Sequence, residues 1–347
     1  MPLFESPRLT RAADALVQAQ FAVQPGESVL VTVDSHTDSA LMEAVASAVV
    51  RAGGKLHVAL IPPLPFQGGL SDPYVADSVK AAAIASDVWL DFCFPYHAGS
   101  GAHSAAMDAK RCRYGLLAIP NADSLERLYG CVDFESMMEF NVALAELFAE
   151  AAGETARFTC PAGTDVSFTL DKLKTVRQKV SNKAGMHTVP GTQSAYPIKE
   201  SVKGRIVIQA LFDEYYRCLR KPITIEADGK IQSISGGATE DMPSFDRALR
   251  RASADGDYGY FIHFTLGFHP GTMLTGQCFI EDIRLPGSNA IGMGLPWWEE
   301  GGGENHPDGI VLDQSFWLGD VQLAKDGAIV GPAKLKKLHD RMSRRLD

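Results

Sequence analysis

Over its first 130 or so residues the chain alternates short β-branched runs with amphipathic helical stretches, and this alternation limits its possible folds more than any other feature. Residues 6–22 read as an amphipathic helix, and Pro25-Gly26-Glu27 turns the chain into a strand at 28–33 that ends at Asp34. A helix at 38–52, a strand at 55–61, a helix at 75–86 and a strand at 87–93 follow. Helix 103–111, strand 114–119 and helix 122–129 continue the series. Strands separated by helices at this spacing pair in parallel, because a parallel neighbour is reached only through a crossover. The first strand leads into Asp34-Ser35-His36-Thr37-Asp38 with no Gly-x-Gly-x-x-Gly step, so a dinucleotide site is unsupported.

The pattern then changes. Residues 134–152 carry Met137, Met138, Phe140, Leu144, Leu147 and Phe148 at helical spacing, which describes a packed core face better than a methionine cofactor box. Beyond Gly153, residues 156–170 read as a hairpin turning at Pro161-Ala162-Gly163, and β-runs recur at 205–210, 223–226 and 230–235. A chain of 347 residues has room for two domains, and the change places their boundary near residue 153, giving domains 1–153 and 154–347. The expected fold class is α/β, an N-terminal parallel α/β domain followed by a β-rich α+β domain.

Charge and cysteine usage exclude several function classes. A net charge of −9 argues against a nucleic-acid partner or an anionic membrane surface. The basic C-terminal segment 334–345 reads as a solvated helix face. No pair of the six cysteines has Cys-x-x-Cys spacing, so neither a zinc ribbon nor a redox motif is indicated. The N-terminus lacks a signal-peptide core and no apolar run is long enough to span a bilayer. The expected setting is cytoplasmic.

The chemistry concentrates in residues 261–308, which hold His263, His269, His306 and Asp308. In an extended His306-Pro307-Asp308 step, both side chains project from one side of the backbone. Two ligands then point at one spot, and His263, in the β-like run Tyr260-Phe261-Ile262-His263-Phe264-Thr265, is the best third. Two imidazoles and one carboxylate on one face of a metal leave the opposite face open, as in non-haem Fe(II) oxygenases. A core histidine bonded to backbone is the plain alternative for His263, and a polar turn is the alternative for the His-x-Asp step.

Residues 156–320 resemble the thermophilic metalloaminopeptidases and their relatives, the 2,5-dihydroxypyridine 5,6-dioxygenases. The matching pieces are Pro161-Ala162-Gly163-Thr164-Asp165, Pro190-Gly191-Thr192 with Pro197 and Gly204, Leu266-Gly267-Phe268-His269-Pro270-Gly271, Glu281-Asp282, Gly287-Ser288-Asn289-Ala290-Ile291-Gly292 and His306-Pro307-Asp308. The departures discriminate between the two activities. Where the peptidases carry metal-binding glutamate, glutamate and histidine, this chain has Thr192, His263 and Ala290. Threonine and alanine cannot replace a carboxylate and an imidazole. The resemblance therefore implies Fe(2+) on His263, His306 and Asp308, a small hydroxylated pyridine and O2 as substrates, and a homo-oligomer. A zinc or cobalt metallopeptidase is the second reading, and a catalytically inert binding or scaffold protein the third.

Other histidines have weaker readings. The resemblance places His187 near the metal as an acid/base, against a surface-loop alternative. His97 and His103 flank the loop Ala98-Gly99-Ser100-Gly101, where ligands of α/β sheets bind, and the loop reads as a lid carrying His103 as a second acid/base candidate. An exposed-loop role suits His97 better. His269, at a family asparagine position, reads as a turn or pocket residue. Trp297 and Trp298, followed by Gly301 to Gly303, suggest an aromatic wall on a loop of unusual backbone.

Overall fold

The computed structural model describes residues 6–173, 180–253, 256–295 and 306–342. Its first half contains β1 (Ser28–Asp34), β2 (Lys55–Ile61), β3 (Val88–Asp91) and β4 (Arg113–Leu116), interleaved with α1 (Pro7–Asp14), α2 (Ser39–Arg51), α3 (Asp77–Ala85) and α4 (Gly101–Asp108). The strands pair in parallel in the order β2-β1-β3-β4. Position in the sheet explains the burial of each. Central β1 is buried at six of its seven residues, while edge strand β2 alternates exposed and half-buried positions. Side-chain caps start the helices where backbone N–H groups lack partners: Asp38 accepts from Ala40 N, and Ser100 accepts from His103 N. The Ser100 cap starts α4 at Gly101, two residues before the expected start, and a left-handed Lys110 (φ 55°) follows its end.

A fifth parallel strand comes from farther along the chain. After α5 (Ala122–Leu125), α6 (Phe134–Glu150) and the hairpin β5 (Thr155–Thr159) and β6 (Asp165–Thr169), the chain returns as β7 (Gly185–Thr188) to pair with β4. The chain accordingly divides into one compact unit of Met1–Met138, Gln178–Pro190 and Met342–Asp347, and a second of Glu139–Arg177 and Gly191–Arg341. A boundary near 153 keeps all of α6 with the first unit and β7 with the second; the structure distributes both differently.

The second unit is built on a twelve-stranded sheet. Its remaining strands are β8 (Thr192–Ala195), β9 (Lys203–Phe212), β10 (Tyr216–Asp228), β11 (Lys230–Gly236), β12 (Tyr260–Gly267), β13 (Asn289–Gly294), β14 (Asp308–Val311), β15 (Ser315–Leu318), β16 (Val321–Lys325) and β17 (Ala328–Ile329), with helices α7 (Met242–Arg251), α8 (Phe279–Asp282) and α9 (Ala333–Met342). The path runs β17-β16-β15-β5-β6-β9-β14-β13-β12-β8. An aromatic stack forms the core beneath it: Phe158 lies 4.3 Å from Phe316 and 5.4 Å from Phe264, and Phe264 lies 4.5 Å from Phe168. No helix among the described residues is long and apolar enough to cross a membrane, and all six cysteines are free.

Candidate metal centre

Three adjacent strands, β12, β13 and β14, carry the centre. His263 pairs with Gly292, and Gly292 pairs with Asp308, so the three residues form one row across the sheet. Residues in such a row project to the same face, and His306, two residues before Asp308, joins them. The middle residue of the row has no side chain, so the flanking ones lean inward over it. A Cβ at Gly292 would overlap His263 Nε2 and lie 2.8 Å from His306 Cε1, well inside contact distance.

A β-bulge aims His263. The β12–β13 register shifts between Phe261 and His263, leaving Ile262 as an extra residue. In a regular strand Phe261 and His263 would share a face. The bulge changes that parity, so Phe261 and Phe264 both enter the core, with ring centroids 6.0 Å apart, and His263 faces the other way.

The three side chains converge. His263 Nε2 lies 3.0 Å from His306 Nε2 and 3.6 Å from Asp308 Oδ1, and His306 Nε2 lies 3.7 Å from Asp308 Oδ2. A divalent ion held at about 2.0–2.2 Å by each donor would separate neighbouring donors by roughly 2.8–3.6 Å. The electrostatics fit as well. Burial pushes the Asp308 carboxyl up to about 8. Burial, and then the neighbouring His263, holds His306 well below the ordinary imidazole value. Without a cation the pocket therefore favours neutral forms at pH 7, while a divalent ion would favour the carboxylate and both imidazole lone pairs. The peptidase-type positions add nothing to this set: Thr192 and Ala290 are buried on β8 and β13 and carry neither imidazole nor carboxylate.

His269 is not part of the cluster. It is fully buried in a turn, its Nδ1 accepting from Gly271 N at 3.1 Å. His103 and His187 belong to the first unit. His103, on α4, packs edge-on against Tyr114 at 4.7 Å and accepts from Gly99 N at Nδ1, which leaves the proton on Nε2. Burial brings its pKa down to about 4. His187 sits half-buried on β7, its ring 6.0 Å from Phe21 and its Nε2–H donating to the Lys183 carbonyl at 2.8 Å. Trp297, Trp298 and the glycine run at 301–303 lie outside the described residues.

The structure corrects the exposed-loop reading of His97. Its ring is wholly buried, with Nδ1–H donating to Asp91 Oδ1 at 3.1 Å. Asp91 is also fully buried at the end of β3, and accepts from Thr32 Oγ1 and Tyr114 Oη at 2.7 Å and from the amides of Cys93 and His97. Asp91, Cys93 and His97 are close enough together to suggest a second metal site. Five donors already occupy the carboxylate, however, and burial followed by Asp91 pushes the Cys93 thiol well above its ordinary value. The cluster is a hydrogen-bond hub that ties the 92–100 loop to β1 and β4.

The profile of a family described as 2,5-dihydroxypyridine 5,6-dioxygenase matches residues 13–275. No curated protein matches significantly. Among solved structures, a 2,5-dihydroxypyridine dioxygenase from Pseudomonas putida superposes with a TM-score of 0.71 at 16% identity, covering 96% of this chain and 100% of that one. AmpT from Thermus thermophilus gives 0.60 at 14% identity, covering 93% and 99%. At such identities the two structures establish a shared fold.

Proposed function

The chain belongs to the 2,5-dihydroxypyridine 5,6-dioxygenase family, and from that membership we propose that it is a mononuclear Fe(II) enzyme that converts 2,5-dihydroxypyridine and O2 to N-formylmaleamic acid. The observation that carries this reading is the convergence of His263, His306 and Asp308 over Gly292. Bound iron would supply neighbouring positions for a substrate oxygen and O2, and a path for electron density from ring to oxygen. The two histidines are neutral donors and Asp308 adds one negative charge, so the centre keeps net positive charge for a substrate oxyanion.

His103 or His187 would take the proton from the ring hydroxyl. At a pKa of about 4 the stowed His103 is a weak base. Its use therefore goes with movement of the 97–100 loop and the start of α4 that exposes the ring and returns its pKa toward 6.5. We further propose that the enzyme is cytoplasmic and homo-oligomeric.

The test is anaerobic reconstitution of metal-free protein with Fe(II), followed by addition of 2,5-dihydroxypyridine and O2. Loss of the substrate absorbance with one O2 consumed per ring is expected, together with one iron per chain. His306→Ala and Asp308→Ala should abolish both binding and turnover while melting cooperatively. Two metals per chain, or full activity in either variant, would refute the reading.

A further inference from the structure

The imidazole of His263 has a second nitrogen, and its surroundings carry an inference about how the metal ligand is prepared. Nε2 faces His306 and Asp308. Nδ1 lies 3.0 Å from Thr265 Oγ1, and Thr265 Oγ1 lies 2.8 Å from Ser194 Oγ. The geometry follows from the sheet. His263 and Thr265 are two residues apart on β12 and so share a face, and Thr265 pairs directly with Ser194 on β8. Thr265 is buried, and Ser194 is half-buried on the last strand of the sheet path.

We propose that Thr265 and Ser194 form a hydroxyl relay that fixes the tautomer of His263, making Nε2 the nitrogen available to a metal. This rests on the reading of His263 as a ligand. A neutral imidazole carries one proton, so Nε2 offers a lone pair only when the proton sits on Nδ1. Thr265 Oγ1 accepts that Nδ1–H and turns its own O–H toward Ser194 Oγ. Ser194, half-buried, accepts that O–H and keeps its own, turned toward solvent. Each hydroxyl has one role, and the direction of donation runs from ring to sheet edge. Without the Thr265 oxygen, the Nδ1–H form would lose the acceptor that favours it. The Nε2–H tautomer would then compete, aiming a proton at the site. Thr265 is thus a positioning residue: it acts on the metal only through His263, as partners of ligating histidines do elsewhere.

Thr265→Val is the main test, because it keeps shape and β-branching while removing the oxygen. Co(II) affinity is measured by competition with a chelating dye for the parent, Thr265→Val, Thr265→Ser, Ser194→Ala and His263→Ala. A second readout is the His263 tautomer in metal-free, 15N-histidine-labelled protein, its signals assigned by their loss in His263→Ala. Thr265→Val should weaken Co(II) binding by about 10–100-fold and introduce the Nε2–H form, Ser194→Ala should do so to a smaller extent, and Thr265→Ser should restore parental behaviour. Parental affinity and tautomer in Thr265→Val would overturn the relay while leaving the ligand set standing. Parental affinity in His263→Ala would overturn the ligand set and the relay with it. If Thr265→Val fails to fold, an Nε2–H tautomer in the parent, or parental affinity in Ser194→Ala, overturns the relay on its own.

Discussion

Gly292→Ala leaves His263, His306 and Asp308 in place and adds one methyl group where their side chains converge. The added carbon would lie 2.7 Å from His263 Cδ2 and 2.8 Å from His306 Cε1, so each ring must retreat by about 0.6–0.7 Å to reach an ordinary 3.4 Å contact. Metal–donor distances tolerate about 0.2 Å, so the rings cannot both keep their bonds. The expected loss in metal affinity is at least about 100-fold, or roughly 2.7 kcal/mol. The fold should not suffer, because Gly292 is a strand residue outside the left-handed region and alanine is no worse than glycine in a strand. The assay is Co(II) or Fe(II) titration under anaerobic conditions, paired with thermal melting of the metal-free protein. A Gly292→Ala protein that binds metal as tightly as the parent would refute the idea that the two imidazoles close over this residue.

The buried carboxyl of Asp308, with its folded-state value raised from 3.8 to about 8, costs the metal-free protein stability that grows as pH rises through that interval. In chelator, Asp308→Asn should therefore melt above the parent at pH 9 and close to it at pH 4, although it binds no metal; a lower melting temperature at pH 9 would contradict the burial argument. His103 acts in the opposite direction. Its folded value near 4 lies below 6.5, so its contribution is fully present above pH 6.5 and is lost as pH falls to 4, by at most about 3 kcal/mol. His103→Asn should flatten that part of the stability–pH curve, and an unchanged curve would count against it. His269→Asn should keep both metal and fold, because an asparagine oxygen can accept the Gly271 amide in place of Nδ1; loss of metal in this variant would bring His269 into the centre.

Local periodicity made the first four strands legible, since a buried parallel strand and an amphipathic helix each leave a pattern within ten residues or so. The return of β7 to the first sheet was not legible. Gly185-Met186-His187-Thr188 has no distinctive pattern, and its partner β4 lies about seventy residues earlier, beyond the reach of any local window. The His-x-Asp step was readable because its geometry is set within three residues. The role of Gly292 was not drawn from the sequence, yet a signal existed: glycine inside a strand often marks a close approach of other groups. The burial of His97 was hidden because its partner, Asp91, lies on the preceding strand and a glycine-containing loop looks solvated in sequence alone.

The extra residue at Ile262 makes the centre depend on counting as well as on identity. Phe261 and His263 stand two positions apart, yet face opposite ways, because the strand carries one residue more than its partner. If Ile262 were lost, ordinary alternation would give the same facing, with Phe261 still opposite Met293 and His263 still opposite Gly292. The damaging change keeps the length and irons out the bulge: either the imidazole then turns into the aromatic stack or Phe261 turns out of it. A one-residue deletion is thus milder here than a substitution that straightens the strand, and a variant library that samples only substitutions would miss this tolerance of the scaffold.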